Sequence, residues 1–205
     1  AAAATGLAEG TPVVMGGGLV TSWVRGANWT NPFSGLVDEM VAGAGEEPLL
    51  ARFGLNADKS RPDVEHAPPK YDMFPVSEYF APGLILPYGA SRGCYWNRCA
   101  FCPEQAEGNR YRPLGRSRVV AELAGLVQIH QPVLIHLLDN AVSPAVQRAL
   151  ITHPPGAPWY GFVRFEQNLA DEGYCRALRR SGCVMLKLGL ESGAQSVLDA
   201  EGKGV

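Results

Sequence analysis

The chain has 205 residues and a formal net charge of -2, with 46% hydrophobic and 19% charged residues. This is ordinary globular composition, and the length leaves room for one or two domains with a real core. The charge gives no reason to expect nucleic acid or an anionic membrane as a partner, and the sequence has no apolar run long enough to span a membrane. The N-terminus is unlike a secretory signal, so we expect a cytoplasmic protein, in which clustered cysteines are more often ligands than disulfides.

Both ends of the sequence look interrupted. The first predicted strand begins at Thr11 with no element before it, and the last predicted helix stops at Gly202, three residues before the end. We therefore expect a central piece of a longer protein, and we expect residues 1–205 alone to be poorly active.

The first 50 residues predict the end of one domain. Residues 11–15 form a short apolar run that ends in three glycines, which is typical of a buried strand followed by a tight loop. The loop departs from the dinucleotide fingerprint because Thr21 occupies the place of its third glycine. Another apolar stretch lies between residues 33 and 41. From residue 51 to 82 the prolines and scattered charges predict a linker.

Residues 83–205 alternate between strand and helix patterns. The predicted strands cover residues 84–86, 133–138, 159–165 and 184–190. The predicted helices begin at a Ser117 cap, at Ser143 with Pro144, at Asp171 and at Ala194. Strands alternating with helices predict an α/β fold with a parallel sheet, closed or partly closed as a barrel.

Polar residues follow each predicted strand. Asp139 ends the second strand, Arg164 with Glu166 the third, and Glu191 with Ser192 the fourth, while the cysteines follow the first. The carboxyl ends of parallel strands form the catalytic face of such folds. We therefore expect these side chains to share one rim.

The cysteines Cys94, Cys99 and Cys102 lie within nine residues and can share one soft metal centre. Zinc is one candidate, but structural zinc normally takes four Cys or His ligands, and the sequence offers no second pair at that spacing. Three ligands suit an iron–sulfur cluster with one open iron, and Phe101 is expected to shield it from water. Cys175 and Cys183 are expected to be small buried residues.

The cysteine segment resembles the radical S-adenosylmethionine (SAM) superfamily, whose last two cluster cysteines enclose an aromatic residue. Here Phe101 lies between Cys99 and Cys102. The segment from Gly189 to Leu198, followed by Lys203 and Gly204, is similar to the Gly-x-Glu-Ser-Gly segment of the Elp3/MiaB-like branch. The resemblance implies a [4Fe-4S] cluster on the three cysteines and cleavage of SAM to a 5′-deoxyadenosyl radical. It implies SAM contacts from Phe101, Asp139, Arg164, Glu191 and Ser192, with Arg164 on the SAM carboxylate. The first cysteine gap has four residues where the family has three.

A second resemblance covers the first 50 residues. Residues 12–18 and 38–48 look like the end of the cobalamin-binding domain that precedes many radical SAM barrels. In that family the glycine pair, here Gly16 and Gly17, lines the nucleotide tail of the corrinoid. The resemblance implies a Rossmann-like cobalamin-binding part at 1–50, a linker at 51–82 and the N-terminal part of a radical SAM barrel at 83–205.

Together these patterns predict a radical SAM enzyme that methylates an unactivated carbon with cobalamin. Its partners would be a small-molecule or peptide substrate and a reductant such as flavodoxin or ferredoxin. One alternative is a cobalamin-independent radical SAM enzyme that performs peptide modification, ring formation or rearrangement. Another is a zinc-stabilised module without catalysis.

Overall fold

The computed structural model describes residues 10–55 and 68–205. The chain divides into two compact units, one of them made of the chain up to Ala67 together with Pro103–Gly108, the other of Pro68–Cys102 and Asn109–Val205. The predicted linker at 51–82 lies partly outside the described residues. The short return of Pro103–Gly108 to the first unit has no counterpart in the sequence pattern.

The first unit contains a small parallel sheet. Strands β1 (Val14–Met15) and β2 (Glu39–Met40) pair in parallel, and helices α1 (Gly18–Arg25), α2 (Glu46–Arg52) and α3 (Pro103–Ala106) complete the unit. Helix α1 begins inside the predicted glycine loop, where Gly17 supplies a φ of 100° that only glycine adopts without strain. Thr21 ties helix to loop, since its hydroxyl donates to the Gly17 carbonyl oxygen and accepts from Gly43 N–H, both at 2.9 Å.

The second unit has the predicted parallel sheet. Its strands are β3 (Ile85–Tyr88), β6 (Leu134–Leu137), β7 (Trp159–Val163) and β8 (Cys183–Leu188), in that spatial order and all parallel. A short antiparallel pair, β4 (Ser91–Arg92) with β5 (Arg112–Pro113), frames the cysteine segment. The helices are α4 (Arg116–His130), α5 (Pro144–Thr152), α6 (Glu172–Arg180) and α7 (Gln195–Ala200). Short 3-10 turns cover Val76–Glu78 and Gln167–Ala170.

One face of this sheet packs against the helices. Alternate strand residues such as Leu86, Ile135 and Trp159 are fully buried with helix residues Leu123 and Leu150. Burial of each large side chain contributes about 1.5 to 3 kcal/mol. The core therefore fixes the strands, and with them the positions of the strand ends.

Side-chain caps fix the starts of two helices in the second unit. Ser143 caps α5 as predicted, accepting from Val146 N–H, and Asp171 caps α6 by accepting from Tyr174 N–H. The predicted Ser117 cap is wrong. The N-cap of helix α4 is Gly115, two residues before Ser117, and the helix begins at Arg116 without a side-chain cap.

Candidate functional site

The cysteine loop, residues 94–102, starts just beyond the carboxyl end of β3. Gly93 makes the entry turn with a φ of 70°. A Cβ there would lie 2.7 Å from the Arg110 carbonyl oxygen, so only glycine fits. The loop therefore begins where two stretches of backbone nearly touch.

Asp139 anchors the strand end from which the loop departs. The carboxylate is 2% exposed, and it accepts from Ala90 N–H at 2.9 Å and from the Ser91 hydroxyl. Burial raises the pKa of Asp139, while these hydrogen bonds oppose the rise. Both oxygens of the Asp139 carboxylate accept hydrogen bonds from the protein, so in this structure Asp139 positions the start of β4. The predicted contact of Asp139 with SAM stays a prediction.

Arg164 follows β7 directly and is 6% exposed. Its Nη2 donates to the carbonyl oxygens of Lys203 and Gly204, and its guanidinium carbon lies 3.7 Å from the centroid of the Trp96 ring. Its Nη1 lies 3.8 Å from Glu166 Oε1. Its buried Nε is without a hydrogen-bond partner in the part of the chain that the structure describes. The guanidinium therefore contacts mainly backbone carbonyls and the Trp96 ring. The predicted contact of Arg164 with the SAM carboxylate stays a prediction.

Trp96, inside the four-residue first gap, also contacts this arrangement. Its indole Nε1 donates to the Gly202 carbonyl oxygen at 2.9 Å. A second guanidinium, that of Arg98, lies 5.0 Å from the centroid of the Trp96 ring. Cation–π contacts of this kind are strongest when the cation is desolvated, as Arg164 is.

A second segment, residues 201–204, which we call the clasp, lies along the cysteine loop. Besides the Trp96 bond, Ala100 N–H donates to the Glu201 carbonyl oxygen at 2.8 Å. Gly202 and Gly204 have φ values of 63° and 67°, and a Cβ on Gly204 would lie 2.0 Å from the Trp96 ring. Only glycines allow the clasp to lie so close.

Lys203 lies at the centre of the clasp. Its side chain is 8% exposed, and its Nζ is 3.0 Å from Glu191 Oε1. The same Nζ is 5.6 Å from the centroid of Phe101, whose ring is half exposed. One buried ammonium thus joins two of the predicted site residues, Glu191 and Phe101.

Glu191 and Ser192 come three and four residues after β8. Glu191 has a φ of 68°, the left-handed conformation that costs a non-glycine residue about 1 kcal/mol or more. Ser192 is half-buried and its hydroxyl accepts from Ala194 N–H at 3.1 Å. A strained, ion-paired carboxylate next to a turn-forming serine is an arrangement found at functional sites.

The three thiols are half-buried and close enough to influence one another. Burial raises the pKa of the Cys99 thiol, the positive charges of Lys203 and Arg164 act in the opposite direction, and Cys102 and Cys94 add to the rise. A negatively charged thiolate cluster suits a place beside two buried cations. The donor set of the loop thus fits an iron–sulfur cluster.

A zinc ion fits the loop less well. Among the described residues, no three His, Cys, Asp or Glu side chains converge as ligands of one metal ion do. Structural zinc takes four such ligands, one more than the three cysteines of the loop, whereas three cysteines suit an iron–sulfur cluster with one open iron.

The remaining cysteines differ from each other. Cys183 is buried in the core as expected, but the expected burial of Cys175 is wrong. It is exposed on the outer side of α6, where its thiol contacts the Leu169 carbonyl oxygen at 3.3 Å. The apolar face of α6 falls on other positions, such as Leu178.

In the first unit, Gly16 lines a groove of about 500 Å³ with mostly apolar neighbours. A Cβ on Gly16 would meet Val41 at ordinary contact distance, and within the described residues a Cβ on Gly17 would meet nothing within 4 Å. This backbone is open to a large ligand. Gly16 but not Gly17 lines the groove, and the contact of both glycines with the corrinoid tail stays a prediction.

Sequence reasoning missed the parts played by Trp96 and by Lys203. It also missed Tyr95, which donates to Glu166 Oε1 at 2.8 Å and so ties the loop to the segment after β7. Two features of the sequence could have pointed to these contacts: the extra residue in the first cysteine gap and the Lys-Gly pair after the last helix.

In the second unit, a four-stranded parallel sheet carries three cysteines on the loop after its first strand. The chain superposes on radical SAM methyltransferase TsrM from Kitasatospora setae, whose structure holds tryptophan and a SAM analogue, with a TM-score of 0.62 and 18% identity. The match covers 91% of this chain and 43% of that one. The predicted fold is confirmed by this superposition.

Two curated proteins are similar in sequence. The uncharacterized methyltransferase PH0819 of Pyrococcus horikoshii is 30% identical over 152 residues, which is 70% of this chain and 32% of that protein. The anaerobic magnesium-protoporphyrin IX monomethyl ester cyclase of Rubrivivax gelatinosus is 30% identical over 142 residues, 65% of this chain and 24% of the cyclase. The chain thus spans a third or less of these relatives. No family model matches the sequence.

Proposed function

We propose that this chain is the core of a radical SAM enzyme that uses cobalamin to methylate an unactivated carbon. The carrying observation is the cysteine loop, placed at the carboxyl end of the first parallel strand beside the buried cations Arg164 and Lys203. The similarity to a methyltransferase-named relative supports the reaction class.

The protein groups have separate tasks in this proposal. Cys94, Cys99 and Cys102 hold the cluster, which when bound supplies the electron that cleaves SAM. Glu191 accepts hydrogen bonds from the amino or ribose groups of SAM. Asp139 fixes the strand end from which the loop departs, and Phe101 covers the space between the last two cysteines.

The cluster is tested by anaerobic reconstitution with iron and sulfide. Wild-type protein should take up about four irons per cluster and show the broad visible absorption of an iron–sulfur centre. Cys99→Ala should lose that absorption and SAM cleavage together. Cys175→Ala is the matched control, because the exposed Cys175 lies on α6, outside the loop. One tightly bound zinc and no cluster would overturn the proposal.

Cobalamin is tested separately, since a radical SAM enzyme without a corrinoid is the main alternative. Gly16→Ala adds a methyl group that the fold accommodates but that narrows the groove. It should weaken cobalamin binding in a spectral titration of the whole protein, while Gly193→Ala in the other unit should not. A wild-type protein that cleaves SAM but binds no cobalamin would leave the alternative standing.

We also propose a reducing, cytoplasmic setting and a reductant such as flavodoxin or ferredoxin. All five cysteines lie in the described residues and none forms a disulfide, as in proteins of reducing compartments. The structure has no helix, in the residues it describes, with the length and apolarity needed to cross a membrane. Reduction of the reconstituted cluster by such a protein, followed by electron paramagnetic resonance, is the test.

The division of the chain is part of the proposal. We propose a cobalamin-type part at 1–50, a linker at 51–82 and a barrel part at 83–205; the division of the chain into two compact units supports two parts, although it places Pro68–Cys102 with the barrel part and Pro103–Gly108 with the first. Limited proteolysis of the whole protein, with the cut sites mapped by mass spectrometry, would test where the linker lies.

A further inference from the structure

The clasp is the feature that the proposed reaction leaves without a role. It follows the last helix, α7, and is about a hundred residues from the cysteine loop in sequence. Three kinds of contact nevertheless join the two segments: the Ala100–Glu201 backbone bond, the Trp96–Gly202 bond and the Lys203–Phe101 contact. A segment held by so many contacts is placed with precision.

Within the clasp, Lys203 is costly to bury. A lysine ammonium taken out of water needs a charged or hydrogen-bonding partner, and here it has Glu191 at 3.0 Å and the face of Phe101 at 5.6 Å. Its backbone is fixed as well, since its carbonyl oxygen accepts from Arg164 Nη2 and its N–H donates to the Leu198 carbonyl oxygen. The side chain therefore extends from an anchored backbone between the carboxylate and the ring.

Glu191 is the group that gains most from this ammonium. Its backbone is in the left-handed region, and its side chain is 41% exposed. Without a partner, an exposed glutamate side chain samples several rotamers. The ion pair with a buried lysine selects one of them.

We propose that Lys203 is a positioning residue that orients Glu191 toward SAM and keeps the Phe101 end of the cysteine loop in place. The first half of this inference rests on the proposed function, and the second half concerns the loop alone. Lys203 contacts neither substrate nor cluster in this scheme. It acts through Glu191 and Phe101.

The test uses Lys203→Met, which keeps the length and removes the charge, and Lys203→Arg, which keeps the charge. SAM affinity of the reconstituted protein should fall at least tenfold in Lys203→Met and stay within about threefold in Lys203→Arg. Lys187→Met is the matched control, since Lys187 is a half-buried lysine of the same unit that lies over Tyr160 and Phe162. It should bind SAM as wild type does.

A double-mutant cycle separates positioning from a general loss of structure. If Lys203 acts through Glu191, then Lys203→Met combined with Glu191→Gln should be no worse than Glu191→Gln alone. Additive losses would overturn the inference about Glu191.

A cluster-free measurement tests the loop half independently of the proposed function. Trypsin cleaves after Arg98, inside the cysteine loop, and its rate follows the population of the open loop. Cleavage there should be several-fold faster in Lys203→Met than in wild type, Lys203→Arg or Lys187→Met. Equal rates in all four proteins would overturn the loop half. Failure of wild-type protein to bind a cluster or SAM would refute the proposed function while leaving this result intact.

Discussion

Replacing Trp96 by leucine should release the cysteine loop from the clasp. The change removes the indole bond to the Gly202 carbonyl oxygen and the cation–π contact with Arg164. A neutral hydrogen bond contributes about 1 kcal/mol, and a cation–π contact with a desolvated guanidinium about 1 to 2 kcal/mol. Leucine keeps part of the apolar contact, so the expected loss is about 2 to 3 kcal/mol of local stability.

Hydrogen exchange followed by mass spectrometry measures this loss directly. Where the loop recloses faster than its amides exchange, a loss of about 2 to 3 kcal/mol corresponds to roughly 30- to 150-fold faster exchange. The acceleration should appear in peptides that cover residues 94–102 and 201–205, in protein without cluster. Peptides from β6 and α5 should be unchanged, because the core does not depend on Trp96.

Trp29→Leu is the control for loss of a large aromatic side chain. Trp29 stacks on Trp23 in the first unit, with ring centroids 6.1 Å apart, so its loss should leave exchange in the cysteine loop unchanged. If Trp96→Leu changes loop exchange by less than about threefold, well under 1 kcal/mol, the clasp does not hold the loop and the reasoning fails.

Three further predictions concern single groups. Gly204→Ala should lower the free energy of unfolding in urea by at least about 1 kcal/mol, because Gly204 has a φ of 67° and a Cβ there would lie 2.0 Å from the Trp96 ring. Gly193→Ala is the control and should change this free energy little, because a Cβ on Gly193 meets no described atom within 4 Å. Burial, and then the charge of Lys187, lower the pKa of His136, so the contribution of neutral His136 to folding stability is lost as pH falls below about 6.5. Lys187→Met should raise the His136 pKa in an NMR titration. An unchanged His136 pKa would contradict the charge effect. The raised pKa of Asp139 means that the folded state holds the Asp139 proton more tightly than the unfolded state does. Wild type should therefore lose stability relative to Asp139→Asn as pH rises from about 4. A free-energy difference between the two proteins that is constant from pH 3.5 to 6 would contradict this.

The parallel sheet was predictable from the sequence because its signals are local. Each strand is a short apolar run, each turn carries glycine, proline or a capping residue, and the order of strands along the sheet follows the order in the chain. The strand ends then bring the cysteines, Asp139, Arg164 and Glu191 to one edge of the sheet. Their chemical types and approximate location needed no long-range information.

The partners of those residues were not predictable in the same way. Arg164 bonds to the backbone carbonyls of Lys203 and Gly204, and a carbonyl group leaves no mark in a sequence. Trp96 and Gly202 are 106 residues apart, so no periodicity connects them. Cys175 was predicted to be buried because cysteine is usually buried. It is exposed, because it lies on the solvent-facing side of its helix.

The left-handed backbone of Glu191 has a consequence for evolution and engineering. Glycine at that position would relieve about 1 kcal/mol of strain, and methionine in place of Lys203 would then remove an unpaired buried charge. A selection for stability alone would therefore favour losing both members of this pair together. If the pair serves SAM binding as proposed, relatives that have lost this function should keep the sheet and lose both Glu191 and Lys203.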